Sequence, residues 1–198
     1  DLLSLYPKEI TGAQLNLLNS HDTARYINIS RGDESALRLA TLFQMSYPGA
    51  PCIYYGDEIG LGGGKDPDSR RAFPWDKARW NTSLQSFFKK ATDARHDHPA
   101  LRRGSFDPLY AEGQLFMFGR QDNEEKMVIA LNTGNETVTV PALGDSPYLK
   151  EDSILLTLMD TGNQDRHIYR ILPGGQLENF KVPPRTGMIL EVVRIAKD

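Results

Sequence analysis

The chain has 198 residues, 39% apolar and 25% charged, with a formal net charge of −3 at pH 7. That composition is ordinary for a globular protein and allows one large domain or two small ones. It leaves no basic footprint for nucleic acid, and no apolar run reaches the roughly 18 residues of a membrane-spanning helix.

The single cysteine, Cys52, excludes an internal disulfide. It lies in the apolar run 50–55 and reads as a small buried side chain, which favours a reducing, cytoplasmic setting over a secreted one. The opening DLLSLYPKEITGAQ lacks the basic start and cleavage site of a secretory leader. It reads instead like the interior of a longer chain. Residues 1–13 are expected to be a helix tail and a connector, because Pro7 and Gly12 break any long helix.

Residues 14–19, with Leu15, Leu17 and Leu18 between turn residues, predict a short strand. A loop or short turn over 23–32 follows. Asp33-Glu34-Ser35 then opens a helix, with acid and a capping side chain at its amino end. Leu39, Leu42, Phe43 and Ser46 share one face of it, and Pro48-Gly49 stops it. Residues 50–55 predict a second strand, followed by Gly56-Asp57-Glu58 and a glycine-rich, charged loop to Arg71. Asn81-Thr82-Ser83 starts another helix, with Leu84, Phe87, Phe88, Ala91 and Ala94 at spacings of three and four. Pro99 is expected to end it.

Enough chain separates the two strands for a crossover, so they are expected to be parallel. Beyond Gly104 the pattern changes. Apolar runs at 115–118, 127–131, 138–140, 154–158, 168–172 and 188–193 alternate with turns such as Thr133-Gly134-Asn135 and Pro173-Gly174-Gly175. Such spacing predicts an antiparallel β-sandwich. The expected fold class is therefore α/β plus all-β, with a boundary near residues 100–104.

Two polar clusters, His21-Asp22 and Asp57-Glu58, follow the carboxyl ends of predicted strands, where α/β sheets and barrels hold ligands. An Asp there can stabilise positive charge, grip hydroxyls or activate water, and the adjacent His can donate to the same ligand. The dipeptide by itself is better explained by Asp22 capping a turn and His21 lying at the rim of a core. A metal phosphohydrolase needs further ligands, and His96, His98 and His167 have no acidic partner at ligand spacing. No Ser-His-Asp set is legible, and residues 60–64 lack the Gly-Lys-Ser/Thr ending of a phosphate-binding loop. Residues 66–71 combine Asp66 and Asp68 with Arg70 and Arg71. A surface salt-bridge cluster is the plain account. The chemical one is a polyol site, where carboxylates and a guanidinium fork match neighbouring hydroxyls. Phe73 and Trp75 would stack on sugar faces or belong to the core.

Three motifs in order, LLNSHDT, GAPCIYYGDEIG and GGKDPDSRRAFPW, resemble the last part of an α-amylase family glycoside hydrolase. The nearest subgroup is that of cyclomaltodextrinase, neopullulanase and maltogenic amylase. The resemblance implies the last two β/α units of a (β/α)8 TIM barrel followed by an antiparallel β-sandwich C-terminal domain. The expected domains are residues 1–103 and 104–198. Residues 14–20 and 50–55 would be barrel strands seven and eight, and 35–46 and 82–95 the last two barrel helices. Asp22 would be the third catalytic carboxylate, stabilising the transition state through the sugar hydroxyls. His21 would bond the same glucose, and Asp66 and Arg70 would grip a neighbouring one. Asp57 and Glu58 are expected to be architectural. Ser20 stands where many amylases have Asn, and the subgroup commonly has Ser there.

The implied activity is retaining hydrolysis of α-1,4 or α-1,6 glucosidic bonds in cyclodextrins, maltooligosaccharides, pullulan or starch. Such chemistry needs a nucleophilic carboxylate and an acid carboxyl about 5 Å apart. In the family these follow strands four and five, ahead of the first motif here. The chain alone is therefore expected to be inactive and to partner the remaining amino-terminal part of the barrel. An incomplete barrel exposes a strand edge and an apolar face. Either copies associate through that edge as a homo-oligomer, or upstream residues cover it. No cofactor or metal is implied, and neither nucleic acid nor membrane is an expected partner. Two other readings are a catalytically inactive amylase-like subunit that binds partners, and a carbohydrate-binding module over 105–198. In the latter, Tyr110, Phe116, Phe118, Tyr148, Tyr169 and Phe180 are too scattered for an obvious platform. The intact His21, Asp22, Asp66 and Arg70 favour the enzyme.

Overall fold

The computed structural model describes residues 2–144, 146–151, 153–162 and 166–195. After a 3-10 turn at Leu2–Ser4, helix α1 runs Lys8–Ala13. The sequence predicts a helix tail and a connector over 1–13, and the structure adds this short helix after Pro7. Pro7 stands just before the helix, where its missing N–H interrupts nothing, and Gly12 is tolerated near the far end.

Strands β1 (Leu15–Leu17) and β2 (Ala50–Cys52) pair in parallel, Leu15 opposite Ala50 and Leu17 opposite Cys52. Both are shorter than the apolar runs that contain them. Helices α2 (Tyr26–Ile29) and α3 (Glu34–Ser46) form the crossover that parallel neighbours require. α2 lies where a loop or turn was expected; four residues carry too little period to be legible. Asp33 caps α3 by accepting from the Ala36 amide and the Ser35 hydroxyl. The Ser35 bond is the main reason its carboxyl lies below the usual range. One face of α3 buries Leu39, Leu42 and Ser46. Cys52 is only half-buried, because β2 is covered on one face only.

Helix α4 (Thr82–Asp97) is capped by Asn81, whose Oδ1 accepts from the Leu84 amide at 2.9 Å. It buries Leu84, Phe87, Phe88, Ala91 and Ala94. Pro99 does more than stop it. It is the first residue of α5 (Pro99–Arg103), a position where no backbone N–H is needed.

Nine strands follow: β3 (Asp107–Glu112), β4 (Leu115–Gln121), β5 (Lys126–Asn132), β6 (Val138–Thr139), β7 (Ser153–Asp160), β8 (Ile168–Leu172), β9 (Gln176–Leu177), β10 (Lys181–Val182) and β11 (Thr186–Arg194). Seven form one antiparallel sheet, ordered β3-β4-β5-β11-β7-β8-β9, and β6 pairs with β10 as a separate ribbon. Each of the six expected runs coincides with a strand, with Val140 falling just past the end of β6. The sequence did not signal β3, β9 or β10, which are solvent-exposed or only two residues long.

Alternation along the strands divides the interior in two. Phe118, Met127, Ile129, Leu131 and Ile189 pack against Leu42, Leu84, Phe87, Phe88 and Leu101 of the helices. On the other face Met117, Val128, Ala130, Met188 and Leu190 meet Tyr148, Phe180 and Val182. Two buried arginines tie the helices to the sheet. Arg95 of α4 donates to the carbonyls of Met45 (2.7 Å), Tyr47 (3.2 Å), Leu101 (2.7 Å) and Gly49. Arg120 of β4 donates to Ser46, Ser105 and Gly104. They thereby satisfy carbonyls that the end of α3 leaves without helical partners. Burial pulls both guanidinium groups down to about 10, so they stay charged at neutral pH.

Candidate functional site

The carboxyl ends of β1 and β2 carry the polar residues. β1 runs into Asn19, which is buried, and then into a turn over 20–23. The turn is closed by its own hydroxyls. Thr23 Oγ1 accepts from the Ser20 amide at 3.0 Å, and Ser20 Oγ accepts from the Asp22 amide at 3.2 Å. These bonds leave the His21 and Asp22 side chains pointing outward, 60% and 70% exposed.

The loop after β2 comes back over this turn. Gly63 lies so close to the later part of the loop that a Cβ there would sit 2.5 Å from the Asp68 carbonyl oxygen. Its N–H donates to Asn28 Oδ1 of α2 at 2.8 Å, and its carbonyl accepts from the Arg25 amide at 3.0 Å. The glycine run therefore serves close backbone approach. A 3-10 turn at Asp68–Arg70 follows. Asp68 accepts from the Gly64 amide and pairs with Arg71 at 2.7 Å, and these bonds, Gly64 first, hold its carboxyl below the usual range.

The same turn places Ser69 and Arg70 against the first loop. Ser69 Oγ donates to the His21 carbonyl at 3.0 Å, and Arg70 Nε to the same oxygen at 3.3 Å. Arg70 Nε also pairs with Asp66 Oδ1 at 2.6 Å, and Arg70 Nη2 lies 3.5 Å from Asp22 Oδ1. His21 Nε2 is 3.3 Å from that same oxygen. The structure thus gathers His21, Asp22, Asp66 and Arg70 into one exposed cluster. Two carboxylates flank one guanidinium there, and a ring nitrogen stands alongside. Such a set offers acceptors and donors to a neutral polyhydroxyl ligand.

Beneath the cluster lies a buried knot that the sequence did not reveal. Asp57 is buried, and its Oδ1 accepts from Arg25 Nη1 at 3.1 Å and Asn19 Nδ2 at 3.2 Å. Arg25 is fully buried, donates also to the Tyr55 carbonyl at 2.7 Å, and lies 4.5 and 4.8 Å from the Tyr54 and Tyr55 ring centres. Burial pushes the Asp57 carboxyl up to about 6, against the Asn19 hydrogen bond and the Arg25 charge. The resemblance implied only that Asp57 is architectural. Nothing marked Arg25 as its partner.

Of the two aromatic candidates, Trp75 stands clear of the core at 83% exposed, with Phe73 against it at 4.9 Å between ring centres. Among the described residues no group of three or more His, Cys, Asp or Glu side chains could hold a metal ion, and no helix is long and apolar enough to cross a membrane. His98 is bonded to Glu125 at 2.8 Å and His96 to Asp97 at 3.2 Å.

Comparison with known proteins places these features in context. The family model "Alpha amylase, catalytic domain" matches residues 2–106. Cyclomaltodextrinase from Geobacillus thermopakistaniensis is 39% identical over 142 residues, covering 71% of this chain and 24% of that protein. Neopullulanase 2 from Thermoactinomyces vulgaris is 41% identical over 138 residues, covering 69% and 24%. Among solved structures, the debranching enzyme from Nostoc punctiforme matches with a TM-score of 0.76 at 39% identity, over 96% of this chain and 38% of that one. The chain spans about a quarter of the length of the two curated relatives named here.

Proposed function

The chain belongs to the α-amylase family, and on that premise we propose that it supplies the carboxyl-terminal part of a retaining α-glucan hydrolase. In this reading β1 and β2 are strands seven and eight of a (β/α)8 barrel. Residues 1–103 complete the catalytic domain, and the sheet and ribbon of residues 104–198 are the β-sandwich behind it. The substrates are α-1,4- or α-1,6-linked glucans: cyclodextrins, maltooligosaccharides, pullulan or starch.

One observation carries the proposal. His21, Asp22, Asp66 and Arg70 converge at the carboxyl ends of two parallel strands, where barrels perform their chemistry. Glycoside cleavage passes through an oxocarbenium-like transition state. A carboxylate gripping the hydroxyls of that sugar gains strength as positive charge develops on the ring. Asp22 takes this role, His21 donates to the same glucose, and the Asp66–Arg70 pair holds its neighbour. The nucleophile and the acid come from residues upstream of this segment. An inactive, partner-binding relative would need no such cluster.

The test is hydrolysis of β-cyclodextrin, pullulan and starch by two proteins: the 198-residue chain, and the same reading frame extended through the upstream barrel. The extended protein is expected to cleave with retention of the anomeric configuration, and the shorter chain to be inactive. No glucan hydrolysis by the extended protein would overturn the proposal. Activity of the shorter chain would overturn the assignment of nucleophile and acid upstream.

A further inference from the structure

We propose that the buried trio Asn19, Arg25 and Asp57 is the positioning device for Asp22, holding both feet of the turn that presents it; the inference rests on the role given to Asp22 above. The turn leaves β1 at Asn19 and rejoins the fold at Arg25. Both residues bond the same carboxylate oxygen, Asp57 Oδ1. Asp57 belongs to the 3-10 turn after β2, so one acid on the second strand's loop clamps both sides of an excursion from the first.

The clamp is redundant in direction. Asn19 Oδ1 accepts from the Tyr26 amide at 3.1 Å, Arg25 Nη1 also donates to the Tyr55 carbonyl, and the Arg25 amide donates to Gly63. The last bond ties the device to the loop that carries Asp66 and Arg70. Between the feet, the turn's internal bonds involve only Ser20, Thr23 and the Asp22 amide. Its outward part, residues 21–23, is exposed, and the loop that carries Arg70 reaches it through the Ser69 and Arg70 bonds to the His21 carbonyl.

A purely structural role explains the geometry less well. Burying a guanidinium is costly unless its donors are satisfied. Arg25 Nε and Nη2 have no hydrogen-bond partner among the described residues, and the ring faces of Tyr54 and Tyr55 are their nearest compensation. An apolar side chain would fill the site at less cost. What the arginine supplies is one nitrogen, Nη1, that reaches the Tyr55 carbonyl and the Asp57 carboxylate together, on a planar group that lies over the Tyr54 and Tyr55 rings.

The experiment uses the complete enzyme and five variants: Arg25→Lys, Asn19→Ala, Asp22→Asn, and each of the first two combined with Asp22→Asn. Lysine keeps the buried charge but loses the planar group that lies over the Tyr54 and Tyr55 rings. Arg25→Lys and Asn19→Ala are expected to lower kcat about 10- to 100-fold, as for a reacting group displaced by about 1 Å. KM should stay within about twofold, with kcat corrected for the folded fraction by circular dichroism. In the Asp22→Asn background the same changes should cost nothing further, since they act through Asp22. Equal losses in both backgrounds, or unchanged kcat in both single variants, would overturn the inference. If Asp22→Asn itself leaves kcat near wild type, the role of Asp22 has failed instead.

Discussion

Asp22 and Asp57 sit at the ends of neighbouring parallel strands, yet their surroundings give them opposite work. Asp22 is exposed, with Arg70 and His21 beside it. Asp57 is enclosed with Arg25 and Asn19. Its raised carboxyl gives a pH signature whose sign can be worked out. The usual value is 3.8 and the folded value about 6, so the folded state binds this proton more tightly than the unfolded one. The group's contribution to stability is fully present below pH 4 and is lost as pH rises through about 6. We predict that urea unfolding between pH 4 and 7 shows wild type losing up to roughly 3 kcal/mol relative to Asp57→Asn. A pH-independent difference would contradict this. His21, Asp22, Asp66 and Arg70 could be singled out from the motifs on which the family resemblance rests. Asn19 and Asp57 lie in the same motifs, but their bond and that of Arg25 could not be read, because the partners are 38 and 32 residues apart and only the fold brings them to one oxygen.

At the scale of elements, the long helices could be read and several of the short pieces could not. α3 and α4 combine an apolar face with a side-chain cap, Asp33 or Asn81, and both signals are local. α2, α5, β9 and β10 span five residues or fewer, less than the windows in which periodicity is visible. The joint at the end of α3 was also invisible. Its carbonyls are met by Arg95 and Arg120, from a helix and a strand distant in sequence. Arg95→Met would fill the space but leave buried carbonyls of Met45, Gly49 and Leu101 without this donor. We predict a loss of about 2–4 kcal/mol in denaturant unfolding. The exposed control Arg71→Met should stay within about 0.5 kcal/mol. Equal effects would show that the joint contributes nothing special.

At the scale of the whole molecule, one surface formed by the first two strands and the residues after them is apolar and exposed. Leu15 and Leu17 are 62% and 48% exposed, and Ile53 and Tyr55 lie exposed on the neighbouring segment. Leu18 alone of the three leucines packs against the helical core. The alternation was legible, but what covers the outer face was not. If that face lines the interior of a barrel completed by upstream residues, the 198-residue chain should bind a hydrophobic dye and associate in light scattering. The extended protein should do neither through this face. A monomeric short chain that binds no dye would contradict the barrel assignment.

The role we propose for Asp22, stabilising the transition state of glucan hydrolysis, is tested most directly by kcat for Asp22→Asn in the complete enzyme acting on β-cyclodextrin. The substitution removes a charge from an exposed side chain whose neighbours, His21 and Arg70, are themselves exposed, so the melting temperature should hardly change. We predict a fall in kcat of at least ~10³-fold with the fold intact, at the upper end of what removal of a single stabilising group produces. A variant that turns over at near wild-type rate would show that the His21-Asp22 pair is no part of the reaction.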